Sequence, residues 1–285
     1  MPGIPDIIYD AGKGLLKWWL DREHQLVKVY RIKEPDDPRL QPALQLCERM
    51  LPANEVDSPA NVARWLSEIK QETAEGRCRL IDYLLVSVLQ GKVCGVLYGQ
   101  YYPLYKLMFI SYVVADAEDA AARDGRATQS LFKYLRAARN DELAEMDGIV
   151  FEMEYPNPDA TEQNRRSRSR SRLFEFYAQQ LGITVRILDI PYRQPRLDLD
   201  DPSCKEEPQL LAYGRTGPPA ISRSVRREEA QNVISFVYKT IYGDQFEGDP
   251  NQDAEYRRYL DTLCADLSDH LPAEVPVISF SGRVA

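Results

Sequence analysis

The stretch VVADAEDAAARDGRATQSLF, residues 113–132, decides the fold because it joins a strand pattern to a helical pattern. An apolar run ends, a short polar link follows, and the helical pattern begins after GRAT at residues 125–128. The first N–H groups of a helix lack intrahelical partners and its dipole favours anions, so small residues there let a phosphate approach closely. Two interpretations are therefore open, an ordinary strand-to-helix turn or a phosphate-binding turn. The stretch matches neither GxGxxG nor a GK[ST] loop, which disfavours a dinucleotide or nucleoside-triphosphate site.

The runs on either side of this stretch predict the sheet. Upstream, three apolar runs at 80–90, 92–102 and 107–116 are separated by the short links Gln90-Gly91 and Pro103, which indicates an antiparallel meander. Downstream, a helical stripe and the strand pattern GIVFEMEYP at 148–156 indicate a crossover and hence parallel pairing. We therefore predict an α/β (α+β) fold with a mixed, mostly antiparallel central sheet flanked by helices.

Further elements flank this centre. A strand is predicted in LVKVYRI, followed by helices in PRLQPALQLCERMLP and at about 59–74. Farther along the chain, the pattern predicts a helix in LFEFYAQQLG that ends at Gly182. It also predicts strands in ITVRILDIPY and QLLAYGR. Two helices, at about 226–242 and 252–271, complete the pattern.

Composition narrows the class of protein. With 285 residues and 44% hydrophobic content the chain can bury a large core, and no run approaches the roughly 18 apolar residues of a membrane span, so we expect a cytoplasmic protein. Five scattered cysteines predict neither a disulfide framework nor a metal knuckle, and two histidines, His24 and His270, disfavour a multi-histidine site, so no metal is expected. A net charge of −8 argues against a nucleic-acid partner and favours a cationic acceptor.

The order of these elements, over about residues 26–215, resembles the GNAT superfamily of N-acetyltransferases. In that family the last meander strand runs into an [RQ]-x-x-G-x-[GA] turn whose backbone amides hold the coenzyme A pyrophosphate. Gly125 and Ala127 fill the small positions here, with Ala122 in place of the leading Arg or Gln. The resemblance implies acetyl-CoA as co-substrate, held by residues of the last meander strand, of the turn and of the segment before Tyr177: Val113, Val114, Arg123, Gly125, Arg126, Ala127, Thr128 and Arg170.

A second motif, LFEFYAQQLGI, is similar to the family's aromatic-Tyr-x-x-x-Gly-apolar sequence and places Tyr177 where many relatives present a phenol near the coenzyme sulfur. A phenol with a pKa of about 10 can protonate a departing thiolate of comparable basicity. The alternative is that Phe174, Phe176 and Tyr177 are ordinary core and boundary aromatics. The family's usual Asn, seven residues before this Tyr, is Arg170 here.

Two carboxylates are candidates for the catalytic base. Glu152 and Glu154 lie two apart in a predicted strand and therefore share one face, opposite Phe151 and Met153. Burial of two carboxylates on one face costs free energy unless that face opens onto water or a cleft. A solvated face at the sheet edge is therefore the alternative to a catalytic role. A primary amine has a pKa of about 10.4 and must lose a proton before it attacks an acyl group. The resemblance implies that this strand borders the acceptor, which makes both residues base candidates.

Other segments carry weaker indications. The resemblance puts DIPYRQPRL near the acceptor pocket, so Tyr192 and Gln194 are candidates for substrate contact, although turn chemistry around the prolines also explains the segment. The basic run NRRSRSRSR at 164–172 is open to three interpretations, a solvated face, a contact to coenzyme or acidic substrate, and an RNA-binding arm.

Together these features predict an acyltransferase that moves an acetyl group from acetyl-CoA to an amine by direct attack in a ternary complex. The acceptor is a small-molecule or protein amine. The alternative is a non-catalytic acyl-CoA-binding sensor on the same scaffold. We expect an N-terminal arm at 1–25, an acyltransferase domain at 26–215, and a helical extension at 216–285 that packs on the domain, with a homodimer as one role for the added segments.

Overall fold

The computed structural model describes the central strands and helices and most of the C-terminal region, at residues 26–51, 62–68, 79–116, 118–119, 125–154, 174–179, 181–196, 199–200, 204–216, 223–243 and 250–279. The predictions for the arm at 1–25, for Arg123 and for the basic run containing Arg170 lie outside these residues.

The described residues form ten strands, several helices and one π-helix. The strands are β1 (Lys28–Ile32), β2 (Ile81–Leu89), β3 (Lys92–Tyr102), β4 (Leu107–Ala115), β5 (Gly148–Glu154), β6 (Ile183–Leu188), β7 (Arg193–Gln194), β8 (Glu207–Thr216), β9 (Ser224–Arg226) and β10 (Glu274–Ile278). The helices are α1 (Leu40–Met50), α2 (62–68), α3 (Arg126–Arg139), α4 (174–179), α5 (Arg227–Ser235) and α6 (Pro250–Asp269), and the π-helix is Phe236–Tyr242. None of these described helices has the length and apolar character that crossing a membrane requires.

The chain divides into two compact units. The first contains the described residues before position 79 together with Asp82–Tyr98 and Tyr112–Leu135, and the second contains Arg79–Ile81, Gly99–Ser111 and the described residues from Arg136 onward. Strands β3 and β4 therefore contribute residues to both units.

In the first unit the strand order is β1-β2-β3-β4, and β1 runs antiparallel to β2. The link between β2 and β3 is Gln90-Gly91, with φ values of 51° and 80°, the pair of positive angles that a tight two-residue hairpin needs. Helix α1 buries residues spaced three and four apart, and these pack with α2 and the inner strands around one core that includes Leu44, Leu66 and Leu84.

In the second unit β4 is followed by β5, β8, β6, β10 and β9, and β7 pairs with β8 at its side. Strand β5 runs antiparallel to β8 over seven residue pairs, from Gly148↔Arg215 to Glu154↔Gln209. Its other neighbour, β4, is parallel, and that ladder covers three pairs only, from Leu107↔Gly148 to Phe109↔Val150. Strand β5 therefore continues along β8 after its pairing with β4 has ended.

The core of the second unit joins the sheet to the C-terminal helices. Side chains of β5, β6 and β8 pack with residues of α5, the π-helix and α6, including Leu211, Ile234, Phe236 and Leu260. The predicted mixed, mostly antiparallel sheet with flanking helices is confirmed, as are the meander and the crossover with its parallel pair.

Two features of the C-terminal region were not predicted. The segment predicted as one helix at 226–242 changes from α-helix to π-helix at Phe236, a change of turn length that leaves the apolar pattern intact. Strands β9 and β10 were missed because they are short and β10 contains Pro276, a residue that argues against a strand with neighbours on both sides. The predicted domain bounds stay a prediction.

Candidate functional site

The turn before α3 has the geometry that the sequence predicted for a helix start. Gly125 has φ of +77°, a left-handed conformation that glycine adopts without strain. Its carbonyl accepts the first helical hydrogen bond, from the Gln129 amide at 2.9 Å. The backbone N–H groups of residues 126–128 therefore come before the first intrahelical hydrogen bond, and they point along the helix axis toward the N-terminal end of α3.

The small residue at position 127 also has a packing reason. Ala127 is fully buried against β3, where Gly95 lies opposite it. A Cβ added at Gly95 would lie 3.3 Å from the Ala127 Cβ and 3.3 Å from the Val114 carbonyl oxygen. Helix α3 thus begins in direct contact with the sheet, and this contact alone accounts for one of the two small residues in the predicted motif.

The backbone directions in β4 separate the two strand residues predicted to bind coenzyme. The Asp116 amide donates to the Cys94 carbonyl of β3 at 3.0 Å. Because backbone groups alternate along a strand, those of Val114 also face β3, which agrees with the position of the Val114 oxygen beside Gly95. The N–H and C=O of Val113 therefore point to the side of β4 away from β3. Val113, rather than Val114, is placed to pair with an added extended chain.

Asp116, at the end of β4, was missed by sequence reasoning. Its carboxylate is buried and accepts hydrogen bonds from Lys92 at 3.0 Å, from Arg49 at 3.5 Å and from the Glu118 amide at 3.1 Å. The hydrogen bond from Lys92, more than any other contact, holds the pKa of Asp116 below its usual range. This carboxylate fixes the point at which the chain leaves β4 toward α3.

In the second unit, Glu152 and Glu154 lie two residues apart in β5 and therefore share one face of that strand, as predicted. Their cross-strand partners in β8 are Leu211 and Gln209. The two carboxylates differ in their surroundings. Tyr192 donates a short hydrogen bond to Glu152 Oε1, and Tyr242 donates to Glu152 Oε2 at 2.6 Å. Both oxygens of Glu152 thus contact a phenol, while the Glu152 side chain itself remains partly exposed.

The two phenols are buried, with 1% of Tyr192 and 3% of Tyr242 exposed. Burial, followed by the nearby charge of Glu152, raises the pKa of each phenol well above its ordinary value, so both remain protonated donors. Tyr192 was predicted to touch substrate, but its hydroxyl is directed at Glu152. Gln194, predicted for the same role, is partly buried and its side chain hydrogen-bonds with Tyr242.

Tyr242 belongs to this cluster around Glu152 and was not among the residues that the sequence analysis singled out. It lies at the end of the π-helix, about 90 positions after Glu152 in the chain. The available signal was the pair of tyrosines in FVYKTIY, but nothing in that spacing indicates a distant carboxylate partner. The structure therefore brings Glu152, Tyr192, Gln194 and Tyr242 together.

Tyr177 lies elsewhere in the second unit. Its helix, α4, packs through Phe174, whose ring stacks on Phe151 with centroids 4.7 Å apart. Phe151 projects from the face of β5 opposite Glu152, so α4 packs against that opposite face. Tyr177 is 4% exposed, and burial raises the pKa of its phenol. The phenol is therefore protonated at neutral pH, as a proton donor must be.

No family model and no curated protein sequence matches this chain. Several solved structures do match it at low similarity. One is described as a GNAT-family acetyltransferase from Bacteroides thetaiotaomicron, with 15% identity and a TM-score of 0.45 over 76% of this chain and 98% of that chain. Another is a GNAT-family acetyltransferase from Streptococcus pneumoniae, with 12% identity and a TM-score of 0.39 over 67% of this chain and 100% of that chain. A third is aminoglycoside 6'-N-acetyltransferase in complex with coenzyme A, with 14% identity and a TM-score of 0.39 over 67% and 98% of the two chains. The matched structures are thus described as acetyltransferases, two of them in the family that the sequence resembles.

Proposed function

We propose that this protein is an N-acetyltransferase of the GNAT type, which transfers an acetyl group from acetyl-CoA to an amine. The observation that carries the proposal is the orientation of the Val113 backbone in β4. Its N–H and C=O groups point away from β3. The pairing of β4 with β5 ends at Phe109, four residues before Val113. The amides of an extended ligand can add to such a strand edge. The coenzyme's pantetheine arm is a ligand of this kind.

The helix start supports the other half of coenzyme binding. The amides of Ala127 and Thr128 precede the first helical hydrogen bond, and Gly125 gives the chain the tight turn that directs them outward. Arg126, partly exposed at the first helical position, adds positive charge there. These groups suit a diphosphate, because partial positive charge from the helix dipole adds to the side-chain charge. Arg123 and Arg170 are further candidates for the same charge, carried over from the family resemblance.

The chemistry we propose needs one base and one acid. A carboxylate, Glu152 or Glu154, takes a proton from the acceptor ammonium and leaves a neutral amine. The amine nitrogen attacks the thioester carbonyl, a C–N bond forms, the C–S bond breaks, and the thiolate leaves. The thiolate then takes a proton, for which Tyr177 is the candidate donor. The second proton leaves the nitrogen and restores the phenol through water, and the proton held by the carboxyl group passes to solvent, so that one proton is released in each turnover. The products are an amide and free coenzyme A.

A second function is favoured by one specific contact. Both oxygens of Glu152 already accept hydrogen bonds from buried phenols, as expected for a structural carboxylate in a protein that binds acyl-CoA without turnover. Such a sensor binds acetyl-CoA but releases no free thiol. The two functions are separated by measuring free-thiol release with a panel of primary amines.

The experiment is a calorimetric titration of the purified full chain with acetyl-CoA, followed by a thiol-release assay. We expect saturable binding below millimolar concentration and thiol release that depends on an added amine. Binding without amine-dependent release in any member of the panel would support the sensor instead. Absence of binding at millimolar acetyl-CoA would overturn both functions.

A further inference from the structure

A cleft of the second unit opens between β7 and the segment that enters β8. Its volume is about 610 Å³, which falls within the size range of small-molecule sites. The described residues that line it come from both ends of the segment between the two strands: Arg193, Arg196, Leu199, Asp200, Cys204, Lys205 and Glu206.

The two walls of this cleft are tied together by contacts within the chain. The Tyr259 hydroxyl of α6 accepts a hydrogen bond from the Arg196 amide at 3.1 Å and donates one to Glu206 Oε1, also at 3.1 Å. The Tyr238 hydroxyl of the π-helix donates to the Arg193 carbonyl at 2.8 Å. These contacts set the shape of the cleft, so a ligand would meet walls that are already in place.

The carboxylates of the cleft are already engaged. Each oxygen of Glu206 has a partner, since Oε1 accepts from Tyr259 and Oε2 lies 3.8 Å from a guanidinium nitrogen of Arg193. Asp200 also makes a contact of its own. The negative charge of the lining is therefore spent at least in part on the chain itself.

Two cations of the cleft keep hydrogen-bond donors that a ligand can use. The Arg193 side chain is 59% exposed, and its 3.8 Å separation from Glu206 is longer than a hydrogen bond. Lys205 is exposed, and within the described residues no acceptor engages its ammonium group. A guanidinium and an ammonium group can only donate. A ligand group that satisfies both is therefore an anion with several acceptor oxygens.

We propose that this cleft binds a small organic anion through a carboxylate or phosphate group, held by Arg193 and Lys205. Arginine pairs with either group through parallel hydrogen bonds, and lysine adds a compact point charge. Among the lining residues the cations outnumber the carboxylates, in a chain whose net charge is −8. The proposal goes beyond acyl transfer and does not depend on it, because no lining residue is a proposed coenzyme-binding or proton-transfer group.

The half-buried thiol of Cys204 reports on the cleft in the unmodified full chain. Its reaction with the neutral disulfide dithiodipyridine is followed on the Cys204 peptide by mass spectrometry, so that other thiols do not contribute. The chain is titrated with citrate and, separately, with inorganic phosphate at constant ionic strength. Because only the unoccupied cleft reacts, an anion at about twice its Kd slows the reaction about threefold. The anion that protects identifies carboxylate or phosphate as the recognised group.

A second measurement tests the two cations. The rate with the dianionic reagent dithiobis(nitrobenzoate) is divided by the rate with dithiodipyridine, which cancels the intrinsic reactivity of the thiol. We expect Lys205→Gln to lower this ratio about twofold and to raise the Kd of the protecting anion about tenfold, the loss of one charge-assisted hydrogen bond. Arg193→Gln tests the other cation. Lys106→Gln is the matched control, since it removes a half-exposed cation of the same unit outside the cleft.

The outcomes are independent of acyl transfer. Saturable protection that weakens in Lys205→Gln and persists in Lys106→Gln supports the anion site, whether or not the protein acetylates an amine. Absence of saturable protection by both anions, or equal protection in Lys205→Gln and the wild type, would overturn it. Protection by the dication putrescine instead would show a site of the opposite charge preference. Protection by acetyl-CoA alone would assign the cleft to the coenzyme, and either result would end the proposal.

Discussion

Substitution of Gly95 by alanine tests the contact that sets the start of α3. The added Cβ would lie 2.6 Å from Ser87 Oγ, 3.3 Å from the Ala127 Cβ and 3.3 Å from the Val114 oxygen. The first distance is far below van der Waals contact, and the other two require the helix start or the strand to move by a few tenths of an ångström. Overpacking of this kind costs about 1–3 kcal/mol. We therefore expect Gly95→Ala to lower the free energy of unfolding by about 2 kcal/mol.

Urea denaturation followed by circular dichroism measures this loss. The double variant with Ser87→Ala removes the 2.6 Å contact and should recover part of the stability, leaving the two 3.3 Å contacts. Gly243→Ala is the matched control, since its added Cβ would meet its nearest atoms at 3.9 and 4.0 Å, an ordinary contact distance. A Gly95→Ala variant as stable as Gly243→Ala, to within about 0.5 kcal/mol, would refute the packing of α3 on β3.

Three further predictions concern stability. Gly214→Ala would place a Cβ 2.6 Å from Ile183 Cγ2 and 2.7 Å from Val185 Cγ2, so we expect a loss of about 1–3 kcal/mol in urea denaturation, and full stability would contradict the β6–β8 register. Asp116, whose pKa is lowered in the folded protein chiefly by Lys92, stabilises the fold above its unfolded pKa and loses that contribution as pH falls through the folded value. Asp116→Asn should therefore be less stable than the wild type at neutral pH, with a gap that closes in acid; a gap that is constant with pH would contradict this. Burial raises the pKa of Tyr259 to about 12, so its contribution is complete below about pH 10 and declines as pH rises toward 12, a decline that Tyr259→Phe should lack when urea midpoints are compared.

The sequence predicted the sheet well because its signals are local. The meander followed from three apolar runs with short links, and the left-handed Gln90-Gly91 pair is the turn that such a link favours. The crossover followed from one helix between two strands, for which chain connectivity leaves few arrangements. These elements are fixed by patterns within about 50 residues of one another.

The sequence predicted less of the candidate site, since its contacts join distant positions. Glu152 and Glu154 look equivalent in the strand pattern, whereas in the structure Glu152 accepts hydrogen bonds from the phenols of Tyr192 and Tyr242. Those contacts depend on a π-helix whose one-residue change in turn length leaves no mark on hydrophobic periodicity.

The backbone orientation of Val113 also could not be predicted without the fold. Both it and Val114 fit the predicted strand, and the hydrogen bond from Asp116 to Cys94 decides which of the two faces away from β3. A ladder register of this kind depends on the partner strand, so it cannot be read from one segment.

The central claim is that backbone amides at the start of α3 hold the coenzyme's diphosphate, and acetyl-CoA titration of Thr128→Glu tests it most directly. Thr128 is a partly exposed residue of the first helical turn, where a glutamate favours the helix through its dipole but repels a bound diphosphate. Two charges about 6 Å apart repel by about 3 kcal/mol at an effective dielectric constant of about 20, so screening still leaves at least about a tenfold effect. We predict acetyl-CoA binding at least tenfold weaker than in the neutral control Thr128→Gln, with a free energy of unfolding equal to or above that of the control. Equal affinity in the two variants would contradict the account.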